Sequence, residues 1–412
     1  MKKLISTALM LTLFAGSVFT GCSNTNDSSS GTTSSPEGTT SSIPDNSDPY
    51  KIGVFLRFSD EAGVRMRKTI EHAVSTINSD GGINGHDLEV IYYDDEGDAS
   101  KSIDAVTRLI SQDNVLVAVG PTTSTCALAV IDMAAQYEIP IITPQSTNTT
   151  ITSEYGNEWF FRNSVADIYH SYSLCDYIVN DLGAKKIAFV HETGTLGLGQ
   201  YENFVERLSD EYNMEIAIEQ QWNEGDVDFK TQLLAVKEAE PDVIIFAGHE
   251  AELAIATNQR LDVGISEDVP LLGFSSMSSS DYYGVAGDSA VGAIFTSTFS
   301  PTDTRDDIAA FVSEYTPVIG AAPDHNAAQA YDTILLLKET LEKITLTNTE
   351  ASLAADREAI RDALAQVNGY VGLSGVTTFG TGGGAEDRDG KKVCSIYQLQ
   401  SDYTWSVVKA AE

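Results

Sequence analysis

The chain has 412 residues, 42% of them hydrophobic and 21% charged, enough to build two domains with proper cores. Against 60 Asp and Glu it sets only 25 Lys and Arg, a net charge of −35. That balance excludes nucleic acid as a partner and excludes adsorption to anionic lipid through a basic face; it keeps a protein soluble.

Residues 1–22 do not read as part of a fold. Lys2 and Lys3 precede an apolar run from Leu4 to Phe19, then Thr20, Gly21 and Cys22. A charged start, an apolar stretch and a small residue before the cut describe a secretory signal. Residues 23–48 are mostly Ser, Thr, Gly, Asn and Pro, with almost nothing to bury. They read as a flexible tether.

The body alternates short apolar runs with amphipathic segments, the pattern of an α/β protein. A strand is expected at Lys51–Leu56, followed by a loop to Gly63. A helix then carries Met66, Ile70, Val74 and Ile77 on one face. Leu88–Tyr93 is the next strand. The acids at 94–98 include Asp98 as an expected N-cap, and they lack the twelve-residue calcium-loop pattern. No metal site and no cofactor motif is expected.

The stretch from Val115 to Thr147 contains one event twice. Val115–Val119 ends in GPTTST, a helical segment follows, and Ile139–Ile142 ends in TPQST. Apolar runs of this length suit strands buried on both faces, and a helix between them makes a parallel βαβ unit. Both hydroxyl clusters then lie at carboxyl ends of neighbouring strands, where open α/β sheets bind ligands. The first cluster also opens a helix, whose free N–H groups favour an anion. Ser124 is either a ligand group there or an ordinary N-cap.

A further strand at Trp159–Arg162 and a helix at Ser164–Asp181 lead into a second block. Strands are expected at Lys186–Val190, Met214–Gln221, Val243–Ala247 and Leu271–Leu272. Helices are expected at Gly199–Glu211, Phe229–Ala239 and Leu253–Val263. Three more helices, at Asp306–Tyr315, Ala327–Lys343 and Ala351–Val367, precede antiparallel strands at Gly375–Thr378 and within Val393–Val408. Cys126, Cys175 and Cys394 lie in apolar contexts without metal-ligand spacing and read as buried thiols, with one disulfide left open. Two α/β blocks with facing strand ends imply two lobes and a cleft that closes by hinge motion.

Taken in order, KIGV, INSDGGINGHDLEVIYYDDEGD, VAVGPTTST, IPIITPQST, DVDF and AYD resemble the leucine/isoleucine/valine-binding-protein family over Tyr50 to Val408. The resemblance implies a type I periplasmic-binding-protein fold, with two doubly wound α/β lobes, a three-crossing hinge and a ligand cleft between them. The lobes are expected at 49–164 with 299–368, and at 165–298 with 369–412. It implies a non-enzymatic protein that captures an amino acid or related small polar solute and delivers it to an ABC permease and ATPase complex. The stretch ending in Cys22 resembles a lipobox, which implies lipid attachment to Cys22 and a place on the extracytoplasmic face of the membrane. The alternative is a ligand-sensing receptor domain for a signalling partner. A surface enzyme fits poorly, since GPTTST lacks the G-x-S-x-G elbow.

The resemblance also assigns a site. Ser124 and Thr147 stand where the family grips an α-carboxylate, with main chain at Thr122 and Gln145 and neighbours Thr123 and Ser146. Phe58 is a candidate from the first loop. On the opposite wall Leu196, or nearby Thr195, and His249 replace aromatic residues, and Ser275 stands where an acid receives the ligand's ammonium. Glu250 or Glu192 is left to replace that acid.

Overall fold

The computed structural model describes residues 48–380 and 388–411; Cys22, the leader and nearly all of the tether lie outside them. The first sheet contains β1 (Tyr50–Leu56), β2 (Leu88–Asp94), β3 (Val117–Val119), β4 (Ile141–Thr143) and β5 (Phe160–Arg162). All its pairings are parallel, in the order β2-β1-β3-β4-β5. Between these strands run α1 (Glu61–Ser79), α2 (Ala99–Ser111), α3 (Ser124–Gln136) and the short α4 (Thr150–Ser153).

Alternation along β1 explains why this sheet is buried on both sides. Ile52, Val54 and Leu56 point to a core with Met66, Ile70 and Ile77 of α1, while Phe55 joins Val106 and Leu109 of α2 and Val130 of α3 on the opposite face. Gly53 sits under Leu109: a Cβ there would come within 2.6 Å of the Leu109 side chain.

The chain next passes through α5 (Asp167–Asp176) into a second layer. It contains β6 (Ile187–Glu192), α6 (Thr195–Tyr212), β7 (Ile218–Trp222), α7 (Lys230–Glu238), β8 (Val243–Ala247), α8 (Glu250–Asp262), β9 (Leu271–Gly273), α9 (Ser280–Ala286) and β10 (Ile294–Ser297). After β10 the chain returns to the first layer as α10 (Asp306–Ile319), α11 (His325–Glu342) and α12 (Leu353–Ala365). A hairpin of β11 (Tyr370–Gly372) and β12 (Gly375–Thr377) follows. A third passage adds β13 (Ser395–Leu399) and β14 (Trp405–Lys409), so the second sheet runs β14-β13-β10-β9-β8-β6-β7, with β13 and β14 antiparallel. Ile187, Phe189 and Ile245 pack against α5 and α6, whereas Ala188, Val190 and Phe246 pack against α7 to α9.

The passages between layers are tied together by buried polar groups. Arg162, fully buried, makes a double hydrogen bond to Asp389 on the third passage, and it also donates to the carbonyls of Thr147 and Asn148. Asp332 of α11 accepts the backbone N–H groups of Leu373 and Ser374 and the Ser374 hydroxyl, pinning the hairpin. Lys392 donates to that same hydroxyl at 2.8 Å, and its burial pulls its pKa down to about 8 despite Asp332.

Two helices begin earlier than the sequence pattern suggests. α6 starts at Thr195 and α8 at Glu250, three or four residues ahead of the expected starts, so Leu196 and Glu250 lie in first turns. Two glycines in the first turns of α6 are required by close approach. A Cβ at Gly197 would meet Glu192 at 2.5 Å, and one at Gly199 would meet Asn148 of the other layer at 2.3 Å. Asp98 does cap α2, accepting from Lys101 N. The neighbouring Asp95 is buried and satisfied by Gly97 N and the Ser102 hydroxyl. Cys126, Cys175 and Cys394 are all free and buried.

Candidate functional site

A cavity of about 60 Å³ lies where the carboxyl ends of the two sheets face each other. It is lined by Arg57, Asp60 and Ala62 after β1, Thr122 to Ser124 after β3, and Gln145 and Thr147 after β4. From the second layer come Leu196, His249, Glu250, Ser275 and Ser276, and from α11 His325 and Gln329.

The hydroxyl wall is built by a lattice of backbone hydrogen bonds. Thr123, not Ser124, is the N-cap of α3, its hydroxyl accepting from Cys126 N. Ser124 is the first helical residue; its oxygen accepts from Asn148 N at 3.2 Å, which leaves its hydroxyl hydrogen to donate elsewhere. Thr122 Oγ1 accepts from Arg57 N, tying the β1 loop to the β3 loop. Ser146 is buried away from the cavity, donating to the carbonyls of Pro121 and Thr123. Gly120 lets β3 turn here: its φ is 140° and a Cβ would come within 2.1 Å of the Phe55 carbonyl oxygen. Beside Thr147, Asp167 is fully buried, which raises its pKa to about 7 even though Gln200, Thr147 and Arg162 oppose the rise.

The opposite wall carries charge. Glu192 is buried at the end of β6 and accepts from both the backbone N and Nδ1 of His249, the latter at 2.8 Å. Burial opposes ionisation of both groups, but the pairing wins: His249 is raised to about 9 and Glu192 is lowered. Arg57 pairs with Asp60 at 3.1 Å and approaches Glu224 at 3.9 Å. Glu250 is left over. No ion pair reaches its carboxylate among the described residues, and burial raises its pKa to about 7 against the pull of His249. His325 is held neutral, its pKa lowered to about 4 by burial, with Ser278 bonded to Nδ1.

Of the residues singled out from sequence, the structure brings Ser124, Thr147, Thr122, Gln145, Thr123, Leu196, His249, Glu250 and Ser275 to this cavity and leaves out Ser146 and Phe58. Phe58 lies edge-on to Tyr92 and beneath the Arg67 guanidinium, closing the outer face of β1 and α1. Glu192, the other candidate acid, is committed to His249. Sequence reasoning missed Arg57, Asp60, His325 and Gln329. The available signal for the last two was a polar cluster, His325, Asn326 and Gln329, opening a helix whose middle, Ile334 to Leu337, is apolar.

Several bonds span the cleft. Arg65 of α1 makes a double hydrogen bond to Asp281 of α9 and a third to Asp324, the N-cap of α11. Asn148 Nδ2 donates to the Thr195 carbonyl at 2.8 Å, and Thr125 and Thr195 join their hydroxyls at 3.0 Å.

Two facing, mainly parallel sheets, three passages between them and a polar cavity at their strand ends define a hinged solute-binding protein. The chain belongs to the periplasmic binding protein family, which matches it over residues 49–404. These are extracytoplasmic, non-enzymatic binding components of ABC transporters, and the fold is the type I arrangement of two mainly parallel sheets. Among relatives, the Leu/Ile/Val-binding protein homolog 3 of Brucella melitensis is 26% identical over 295 residues, covering 71% of this chain and 77% of the relative. The crystal structure of the Streptococcus pneumoniae substrate-binding protein LivJ with isoleucine is similar at a TM-score of 0.77, with 25% identity over 88% of this chain and all of that one. A solute-binding protein from Rhodopseudomonas palustris, solved with benzoate, shares the fold at a TM-score of 0.77 and 19% identity, covering 88% of this chain and 97% of that one.

Proposed function

We propose that this protein captures an amino acid or a related small polar solute between two lobes and presents it to an ABC permease and ATPase complex. The carrying observation is the dipolar cavity. One wall offers hydroxyls, backbone N–H groups and the start of α3 to a carboxylate, with Arg57 on that side already paired with Asp60. The other offers Glu250, which has no ion-pair partner among the described residues, to an ammonium. Ser124 and Thr147 take the carboxylate with Thr122, Thr123 and Gln145, and Glu250 takes the role the family gives to an acid at Ser275. His249 and Leu196 complete that wall.

The lobes are 49–164 with 299–368 and 165–298 with 369–412, and the passages between them form the hinge. Support comes from the separate cores on the two sheets, although the β11–β12 hairpin rests against the first. Binding shifts the population toward the closed form, since ligand contacts on both walls exist only there. Cys22 carries the lipid that anchors the protein to the membrane. Changing Cys22 to Ser should then move the protein from the detergent phase to the aqueous phase on partitioning.

A thermal-shift screen of amino acids, small amides and short peptides tests the main reading, because a ligand that binds only the folded chain raises its melting temperature. Changing Ser124 and Thr147 together to Ala should weaken the stabilising ligand by tenfold or more, as loss of one hydrogen bond to a charged group costs roughly 1.5–3 kcal/mol. Affinity retained within about twofold would remove both residues from the site.

A further inference from the structure

The cavity wall contributed by α11, together with Asn326 packed behind it, contains polar atoms left unmet among the described residues. Gln329 is 2% exposed and Asn326 1% exposed, and both project from the first turns of that helix. Gln329 Oε1, Asn326 Nδ2 and Gln145 Oε1 are buried without a hydrogen-bond partner among the described residues. Gln145 and Asn326 bond each other through their remaining amide atoms. Exchanging oxygen and nitrogen in both amides restores that bond and leaves the same remainder, one donor and one acceptor. His325 and Gln329 are four residues apart on a helix and so share a face, and both line the cavity with Gln145.

We infer that α11 reads the ligand's side chain, and that this side chain is short, uncharged and able both to donate and to accept hydrogen bonds, with a primary carboxamide the best match. This rests on the dipolar reading of the cavity given above. Three observations narrow the class. Ala62 and Leu196 are the only hydrocarbon side chains among the lining residues, too few to enclose a branched alkyl group. Arg57 is paired with Asp60 and Glu192 with His249, so once Glu250 holds an ammonium no charge remains for a charged side chain. A volume of about 60 Å³ accommodates on the order of four to six water-sized groups, which favours a small solute. An alkyl side chain pressed against the unmet oxygens of Gln329 and Gln145, the two of these residues that line the cavity, would lose on the order of tenfold or more in affinity for each one left unsatisfied. Gln329 is the specificity-determining residue in this account; Asn326 and Gln145 hold their half of the pattern through their mutual bond.

The test is calorimetric titration of the full-length protein with asparagine, glutamine, serine and threonine, then with leucine, isoleucine and valine, and with aspartate and lysine. The first group should bind at least tenfold tighter than the others. Gln329→Met, nearly the same size, should abolish most of the preference for asparagine over leucine. Because the readout is a ratio of two affinities in one variant, a general loss of stability does not move it. Gln329→Glu provides a second variant, which should disfavour asparagine and admit ligands with a cationic side chain. Tighter binding of leucine or isoleucine, or an asparagine-to-leucine ratio unchanged in Gln329→Met, overturns the assignment to α11 while the dipolar site stands. Failure of every α-amino acid to bind overturns the dipolar reading itself, and this inference with it.

Discussion

Replacing Glu250 with Gln should stabilise the empty protein and cripple its binding, two effects of opposite sign from one atom-for-atom change. Glu250 sits in the first turn of α8 facing His249 beside it in the chain, Asp60 from the β1 loop and Asp281 from α9. Burial is the main cause of its raised pKa; the neighbouring acids add to the rise and His249 opposes it. An acid with an ordinary value of 4.5 that ionises at about 7 in the folded chain is penalised as an anion by about 3 kcal/mol. The folded value lies above the unfolded one. Stability from this group is therefore complete below pH 4.5 and is lost as pH rises to about 7. Glutamine never ionises, so the advantage of the variant over the wild type should grow by about 2 kcal/mol between pH 5 and pH 8. Urea unfolding of the ligand-free proteins at the two pH values measures that growth. Titration with the amino acid that stabilises the wild type should show a 10- to 100-fold loss of affinity in the variant, the value of a hydrogen-bonded charge pair. Wild-type binding near pH 7 should also release a proton, seen as a dependence of the binding heat on the buffer. A pH-independent stability difference, or binding left intact in Glu250→Gln, refutes the reasoning.

Other consequences concern the frame around the cavity. Asp281→Asn removes one charge from the double bond to Arg65 across the cleft, leaving Arg65 with Asp324. It should enlarge the ligand-free protein in small-angle scattering and raise the ligand dissociation rate on the order of tenfold, with little change in the association rate. Asp389→Asn leaves the buried Arg162 without its counter-charge and should destabilise the fold by about 3–5 kcal/mol. Because Arg162 also holds the carbonyls of Thr147 and Asn148, the same change should lower ligand affinity in protein that remains folded. With Cys126, Cys175 and Cys394 free and buried, a reducing agent should leave the melting temperature unchanged.

How far the sequence reaches depends on whether a residue's role is local. The parallel pairing of β3 with β4 and the burial of both follow from apolar runs bounded by turn residues, and the hydroxyl wall follows from where those runs end. Phe58 and Ser146 were credible for the same reason, being placed correctly along the chain, but direction decides otherwise. Phe58 turns outward to Tyr92 and Arg67, while Ser146 turns back to carbonyls beneath the wall. Neither direction is written in the spacing of a loop.

The second wall is legible only through pairing. Glu192 and Glu250 are equivalent acids in sequence, each following a strand of the second layer, and nothing local separates them. Burial against His249 removes Glu192 from consideration, since its carboxylate already accepts two hydrogen bonds there. Asp60 is removed in the same way by Arg57. The acid that remains is set by subtraction over residues more than 130 positions apart in the chain, and α11, reached only after the return passage, supplies the last part of the pattern. In the site proposed above the information is divided: the proposed head-group grip lies within one contiguous stretch, and the proposed choice of solute lies in contacts that exist only once the chain has passed to the second layer and returned.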